Sequence, residues 1–239
     1  MAGKFRLLGG GQRIATKARR LVRATGQVMF PHFCLDCGRE GRLLCKQCEM
    51  QYALQKGILF SLRGEVPCFA AARYADPILR NLLQLYKYER VREAGEILTG
   101  IFVRVAAGQV ADVLPPDDEP VVVPVPMHRL NWALRGFNQV ERLATAIAAD
   151  FELELDKKSL NKKYSWRTQA SIDQPEKRRA NSAGRFAVSS EKLAGRSVLL
   201  IDDVITTGAT ALDCVRALRS VGVREVRVLS ALKGSGSRL

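Results

Sequence analysis

Short, almost continuously apolar runs alternate with amphipathic segments along most of the chain. Residues 121–126 (VVVPVP) and 197–202 (SVLLID) are apolar at nearly every position, which is typical of strands buried on both faces of a sheet. Residues 77–88 (PILRNLLQLYKY) and 138–151 (NQVERLATAIAADF) carry apolar residues at helical spacing. This alternation predicts an α/β fold in which helices cover both faces of a parallel sheet.

Weaker patterns complete the predicted fold. Further strands are predicted at 67–74, 185–188 and 224–232, and further helices at 91–107 and 208–221. The acidic, proline-containing stretch 112–120 is predicted to be an exposed connection. No apolar run approaches the roughly 18 residues needed to span a bilayer. The pattern therefore predicts a globular protein with one principal core.

The stretch 198–210 (VLLIDDVITTGAT) carries the clearest chemistry. It places Asp202 and Asp203 at the end of a predicted strand, ahead of a loop of small residues and a predicted helix. Ligands of open α/β sheets bind beyond the carboxyl ends of the strands. The first backbone amides of the helix favour an anion, and small residues let a phosphate approach them. The loop is therefore predicted to bind a phosphate.

The two carboxylates need a different partner, because they would repel a phosphate. Carboxylates accept hydrogen bonds, so we expect Asp202 and Asp203 to face the two hydroxyls of a ribose. Hydroxyls of Thr206, Thr207 and Thr210 add donors beside the phosphate. The alternative interpretation is a strand end with solvated aspartates and a capping threonine.

The net charge of +14 is concentrated in two segments. Residues 1–33 hold seven Lys/Arg and no acid, and residues 157–185 hold nine Lys/Arg against two acids. Basic segments on a neutral body favour a polyanionic partner: nucleic acid, an anionic membrane or phosphorylated small molecules. A solubilising surface is the alternative for either segment.

Residues 1–30 are predicted to contain a basic amphipathic helix. Between residues 12 and 30, apolar positions recur at helical spacing and arginines occupy most of the other face. The pattern fits a transit peptide, a helix on a membrane surface or DNA, or a helix packed on the body. Charges interrupt the apolar positions throughout, which excludes a secretory signal.

Four of the six cysteines lie in one short stretch, CLDCGREGRLLCKQC. Two Cys-x2-Cys pairs suit a tetrahedral zinc ion, and four thiolates leave no open position for catalysis. We therefore predict a structural zinc site in a zinc ribbon at 31–60, with a disulfide pair as the alternative. The predicted ligands are Cys34, Cys37, Cys45 and Cys48.

The second basic segment interleaves cations with aromatic residues. Such a pattern suits single-stranded DNA, whose bases stack on aromatic rings while its phosphates pair with cations. A solvated loop whose tryptophan packs on the body is the alternative. The nucleic-acid candidates are Lys162, Lys163, Tyr164, Trp166 and Arg167.

VLLIDDVITTGAT resembles the phosphoribosyl-pyrophosphate motif of type I phosphoribosyltransferases. The segments PHFCLDCG, YADPILRNLLQLYKY, VVPVPMHRLNWALRGFNQVERLA and RRANSAGRF precede it in the order seen in ComF-family proteins. The chain therefore resembles the ComF family from about residue 28 onward. The resemblance implies a type I phosphoribosyltransferase domain at 61–239, which follows the zinc ribbon in the sequence. It also implies a role in natural competence and DNA uptake.

The resemblance also implies a ligand and its site. Phosphoribosyl pyrophosphate would bind with Mg²⁺, and Lys87 and the RGFNQ signature at 135–139 match the family pattern. A guanidinium such as that of Arg135 pairs with phosphate in a bidentate way. The implied site comprises Asp202, Asp203, Thr206, Thr207, Gly208, Ala209, Thr210, Arg129 and Arg135.

Three functions remain open from the sequence. The first is a cytoplasmic ComF-like protein that binds phosphoribosyl pyrophosphate and acts in DNA uptake or processing with single-stranded DNA and competence proteins as partners. The N-terminal helix adds a peripheral membrane contact to that expectation. The second is a salvage or biosynthetic transferase with a small-molecule acceptor, and the third is a nonenzymatic single-stranded DNA adaptor. No residue is assigned to catalysis, because a ribose-phosphate site does not establish turnover.

Overall fold

The structure, a computed structural model, describes residues 33–115, 118–127, 138–163 and 184–236. The chain divides into two compact units, Met1–Cys48 and Glu49–Leu239. The division falls inside the first described helix, α1 (Lys46–Ala53). The predicted basic helix of residues 1–30 lies outside the described residues.

A five-stranded sheet forms the centre of the second unit, with strand order β1-β2-β7-β6-β3. Strand β1 pairs antiparallel with β2, and the other neighbours in the sheet are parallel. The predicted parallel α/β sheet is confirmed. Its strands are β1 (Ile58–Leu62), β2 (Val66–Arg73), β3 (Val121–Pro124), β6 (Ser197–Ile205) and β7 (Glu225–Lys233).

Helices cover the sheet and help to place the site. Asp76 caps the N-terminus of the helix Pro77–Tyr88. Its carboxylate accepts hydrogen bonds from the amides of Ile78 and Leu79 at 3.0 and 2.9 Å. Asn138 caps another by accepting from the amide of Val140. The helices of this unit are α2 (Pro77–Tyr88), α3 (Arg92–Ala107), α4 (Val110–Val113), α5 (Gln139–Asp150) and α6 (Ala209–Arg219).

The helices pack on the sheet in two groups, one containing α2, α3 and α5 and the other containing α6. Helix α5 packs on β3 and β6, and α3 packs on β2 and β7 and against both α2 and α5. Helix α6 packs on β6 and β7 and on two short strands, β4 (Leu160–Lys162) and β5 (Phe186–Val188). Phe69, Phe102, Leu143 and Leu199 are among the large side chains fully buried between sheet and helices.

Some local predictions need correction. The predicted strand at 185–188 does form, as β5 (Phe186–Val188), but it pairs antiparallel with β4 (Leu160–Lys162) in a separate two-stranded sheet. The prediction that 112–120 is an exposed connection was wrong in part, because Val113, Pro115 and Pro120 are buried. Apolar side chains outweighed the acidic composition of that stretch.

Within the described residues, no helix combines the length and the apolar character needed to cross a membrane.

Candidate functional site

Asp202 and Asp203 lie within strand β6, which continues three residues past the predicted end and stops at Ile205. Successive side chains of a strand point to opposite faces of the sheet. Asp203 accordingly points toward the layer that contains α2 and α5, whereas Asp202 lines a small pocket with residues 204–211. The two carboxylates therefore do not form one side-by-side pair.

Asp203 is buried and held by two donors. The ammonium of Lys87, in the last turn of α2, lies 2.8 Å from Oδ2 of Asp203. Nε2 of Gln139, the first residue of α5, donates to the same oxygen at 2.6 Å. Only 7% of Asp203 is exposed, so its ion pair with Lys87 is shielded from solvent. The contact joins three elements that are far apart in the sequence.

Asp202 has a different electrostatic environment. Burial, followed by the negative charge of Asp203, raises the pKa of Asp202 to about 7. The backbone amide of Asp203, which donates to Oδ1 of Asp202 at 2.8 Å, and the charge of Lys87 act in the opposite direction. Asp202 therefore changes its ionisation near neutral pH.

The loop after β6 has the geometry expected of an anion cradle. Gly208 precedes α6 with φ +72°, a left-handed conformation that favours glycine. A Cβ at this position would lie 2.3 Å from Cδ2 of Leu62, so even alanine would collide there. Thr206, Thr207 and Ala209 are exposed. The loop thus offers accessible hydroxyls and the first amides of an 11-residue helix.

Two hydrogen bonds donated by backbone amides fix this loop. The amide of Gly234 donates to the carbonyl of Ile205 at 2.7 Å, which ties the end of β6 to the end of β7. The amide of Ala209 donates to Oγ1 of Thr207 at 3.4 Å. The half-buried Thr210 lies in the first turn of α6. The structure therefore brings Asp202 and all five predicted loop residues, 206–210, to one pocket.

Two predicted phosphate ligands, Arg129 and Arg135, lie outside the described residues. The nearest described residues on either side are Met127, which follows β3, and Asn138, which precedes α5. Both residues line a pocket near Lys157 and Asn161. The roles of Arg129 and Arg135 stay predictions.

The four clustered cysteines converge in the first unit. Their sulfur atoms all lie within 4.8 Å of one another, and Sγ of Cys37 is 3.7 Å from Sγ of Cys45. A tetrahedron with Zn–S bonds of about 2.3 Å has sulfur–sulfur edges of about 3.8 Å. All six cysteines of the chain are free thiols, so the disulfide alternative is not formed. The cluster fits a structural metal such as zinc.

Backbone geometry prepares the cysteine cluster. Gly38 and Gly41 take φ values of +70° and +122°, which allow the tight turn after the first Cys-x2-Cys pair. The amide of Cys45 donates to Sγ of Cys34 at 3.4 Å. Burial opposes ionisation of Cys34, but hydrogen bonds from backbone amides, that of Cys45 foremost, lower its pKa to about 6. A lowered pKa favours the thiolate that a metal requires, whereas burial and then the neighbouring thiols raise the pKa of Cys48, so the support comes from the geometry of the four sulfur atoms.

The nucleic-acid candidates are only partly described. Lys162 ends β4 half-buried, with its ammonium 5.7 Å from the centre of the Phe186 ring. Burial, and then the charge of Arg185, lower the pKa of Lys162. Lys163 is exposed. The remaining candidates, Tyr164, Trp166 and Arg167, lie outside the described residues.

Asp213 of α6 is a buried carboxylate that the sequence analysis did not single out. Its carboxylate accepts from the amides of Gly184 and Arg185 and from Nε of Arg185 at 2.9 to 3.2 Å. Burial disfavours the charge of Asp213, but these hydrogen bonds and Arg216 lower its pKa overall. A helical i, i+3 pair with Arg216 was the one sequence signal available.

Comparison with known proteins shows the family to which the chain is related. The family model described as "Phosphoribosyl transferase domain" matches residues 116–238. Competence protein F of Haemophilus influenzae is 30% identical over 108 residues, which cover 45% of this chain and 47% of that protein. Competence protein ComFC of Streptococcus pneumoniae is 25% identical over 207 residues, 84% of this chain and 87% of that protein.

The chain belongs to the ComF family of phosphoribosyltransferase-domain proteins. It has the type I phosphoribosyltransferase fold that the resemblance implied. The DNA utilization protein YhgH of Escherichia coli K12 is 24% identical over 226 residues, 87% of this chain and 92% of that protein. The match to the Haemophilus protein spans about half of that relative's length. A hypoxanthine phosphoribosyltransferase structure from Staphylococcus aureus gives a TM-score of 0.38 at 13% identity, covering 60% of this chain and 67% of that chain.

Proposed function

We propose that this ComF-family protein binds phosphoribosyl pyrophosphate together with Mg²⁺ and acts in the cytoplasm in DNA uptake or processing. One observation carries the ligand assignment: Asp202 and the loop 206–210 line a single pocket that begins in strand β6 and ends in α6. A carboxylate acceptor beside a row of amide and hydroxyl donors matches a ribose that carries a 5′-phosphate.

The residues of the pocket have separate roles in this proposal. The ionised Asp202 accepts hydrogen bonds from ribose hydroxyls. The amides of Gly208 and Thr210 and the hydroxyls of Thr206 and Thr207 donate to the 5′-phosphate. Arg135 would pair with the pyrophosphate. Mg²⁺ would neutralise charge on the pyrophosphate.

We infer a structural role for zinc in the first unit. The edge length of the cysteine tetrahedron and the four-sulfur donor set support it. No fifth ligand or open position is part of that proposal, so the metal stabilises the fold of the segment rather than taking part in a reaction.

Single-stranded DNA is a second candidate ligand. It is supported by the positive charge of residues 157–185 and by the exposure of Lys163, which ends the described range 138–163. The names of two relatives, a competence protein and a DNA utilization protein, concern DNA and agree with this candidate. Competence or DNA-processing proteins would be its partners in the cell.

Two measurements test the proposal. Isothermal titration with phosphoribosyl pyrophosphate and Mg²⁺ tests binding, and we expect saturable binding with one site per chain. A screen for pyrophosphate release with nucleobases, ammonia and DNA then tests turnover. Release with one small base alone would assign the protein to the salvage or biosynthetic transferases. The absence of any binding would overturn the proposed ligand.

A further inference from the structure

Three elements that are remote in the sequence meet at Asp203. Lys87 comes from the C-terminal turn of α2, Gln139 from the first turn of α5, and Asp203 from β6. Both donors contact the same carboxylate oxygen, at 2.8 Å and 2.6 Å. The side chains of Lys87 and Asp203 are only 16% and 10% exposed, so water screens this ion pair weakly.

We propose that Lys87 and Gln139 are positioning residues that hold Asp203 as a paired carboxylate and leave Asp202 as the acid that binds the ribose hydroxyls. This inference rests on the proposed function, because the ribose belongs to the proposed ligand. It divides the acidic pair into one supporting carboxylate and one ligand-binding carboxylate.

The pairing explains why Asp203 is unsuited to the ligand. Releasing a buried carboxylate from an ammonium leaves both charges uncompensated, which is costly in a partly dry environment. A ribose hydroxyl is a neutral donor and does not replace the lost charge. Asp202, on the opposite face, has no such cation among its described contacts and lies in the pocket with the loop.

Lys87 also acts on Asp202 through charge. The titratable and charged groups that interact electrostatically with Asp202 are Asp203 and Lys87, whose contact lies on the other face of the sheet, and the thiol of Cys214 from α6. The charge of Asp203 raises the pKa of Asp202, and Lys87 opposes that effect. Without Lys87, Asp202 would take up a proton at a higher pH and lose part of its capacity to accept hydrogen bonds at neutral pH.

Gln139 differs from Lys87 because it is neutral. Its amide orients Asp203 without adding charge, so its removal should weaken the arrangement at every pH. Substitutions of Lys87 and Gln139 therefore distinguish the effect of charge on Asp202 from the effect of the orientation of Asp203. Replacing Lys87 by Met should move the pH dependence of ligand binding, whereas replacing Gln139 by Met should lower affinity and leave that dependence in place.

The experiment uses the full chain and two readouts. The carboxyl carbon of Asp202 is titrated by NMR in ligand-free wild type, Lys87→Met, Lys87→Arg, Gln139→Met and the exposed-lysine control Lys192→Met. The affinity for phosphoribosyl pyrophosphate is then measured from pH 5.5 to 8.5 in the same proteins. NMR of the ligand-free proteins also verifies that each variant is folded.

The expected results are specific to each variant. The Asp202 midpoint, near 7 in wild type, rises by at least half a unit in Lys87→Met and returns in Lys87→Arg. Affinity at pH 7 falls several-fold in Lys87→Met and recovers at higher pH. An unchanged midpoint in a folded Lys87→Met protein would overturn the inference. Absence of phosphoribosyl pyrophosphate binding to wild type at every pH would instead overturn the proposed function, and the ligand-binding half of this inference with it.

Discussion

Asp202 and Asp203 are consecutive residues of strand β6, yet Asp202 lines the pocket formed with the loop 206–210 and Asp203 pairs with Lys87 on the opposite face of the sheet. Their environments give the two carboxylates different chemistry. Asp203 has a cation at 2.8 Å, whereas Asp202 carries a pKa raised to about 7 by burial and by the charge of its neighbour. The pocket that we propose for a ribose phosphate therefore includes one carboxylate that is destabilised when ionised.

This destabilisation predicts a pH-dependent gain of stability in Asp202→Asn. A carboxyl whose pKa is raised in the folded state contributes stability below its unfolded pKa of about 4, and that contribution is lost as pH rises through about 7. Asparagine does not ionise, so Asp202→Asn does not lose this stability as the pH rises. After a discount for partial exposure, Asp202→Asn should gain about 1–2 kcal/mol over wild type at pH 8 relative to pH 5, measured by denaturant unfolding.

Asp213→Asn is the matched control, because the pKa of Asp213 is shifted the other way. Its hydrogen bonds to Gly184 and Arg185 outweigh burial and lower its pKa. The ionised form is therefore stabilising above its unfolded pKa of about 4, and this stability disappears only in acid. Asp213→Asn should cost stability equally at pH 5 and pH 8. If both variants showed the same pH dependence, the assignment of the two environments would be wrong.

Gly208→Ala should disturb the loop 206–210 more than Gly195→Ala disturbs its own turn. Both glycines have φ +72°, so an added Cβ strains the backbone by about 1 kcal/mol or more at each. Only Gly208 would also bring Cβ within 2.3 Å of a Leu62 methyl. We expect Gly208→Ala to lower stability further and to weaken phosphoribosyl pyrophosphate binding, as measured by calorimetry. Equal effects of the two substitutions would contradict the close packing at Gly208.

Several features of the site were predictable from the sequence. The apolar run before Asp202 and the small residues after it predict a strand, a turn and a helix, and β6 and α6 confirm them. The sequence could not predict that β6 continues to Ile205. Two aspartates at an expected strand end suggested a shared ligand, but two aspartates inside a strand must point apart.

The pairing of Asp203 could not be predicted either. Lys87 and Gln139 lie on separate helices, and the packing of α3 between α2 and α5 determines where their ends meet the sheet. Such long-range contacts depend on tertiary packing, which local periodicity does not report. Strand β1 was missed for a related reason: ILFSL is short, and its pairing with β2 supplies much of its stability.

We expect one zinc ion per chain, and its removal should affect the cysteine segment more than the sheet. Metal analysis of the purified protein and of Cys37→Ser should show stoichiometric zinc in wild type and loss in the variant. Hydrogen exchange should then increase in residues 33–48 more than in β6, because a ribbon of this size depends on its metal for folding. Cys68→Ser is the control, since Cys68 is buried in β2, outside the cluster. A fully folded wild-type protein without metal would refute the zinc site.

The DNA candidate predicts different effects for two adjacent lysines. Lys163 is exposed, whereas Lys162 lies half-buried beside the Phe186 ring. Each phosphate neutralised on a single strand contributes about 0.7 to the slope of log K against log salt. In fluorescence titrations with an oligonucleotide, Lys163→Ala should reduce that slope more than Lys162→Ala. Trp166→Ala should weaken binding and preserve the slope, because stacking is not ionic.

A wild-type protein without salt-dependent binding would exclude this role for residues 157–185. The same conclusion would follow if Lys163→Ala and Trp166→Ala both bound the oligonucleotide like wild type.

The most direct test of the central claim is calorimetric titration of phosphoribosyl pyrophosphate with Mg²⁺ at pH 8 into wild type, Asp202→Asn and Thr145→Ala. Thr145 lies on an exposed turn of α5 and serves as the control. Loss of a charge-assisted hydrogen bond costs about 1.5–3 kcal/mol, which is tenfold or more in affinity. We expect saturable binding by wild type and the control, and at least tenfold weaker binding by a folded Asp202→Asn. Equal affinity of Asp202→Asn and wild type would contradict the central claim.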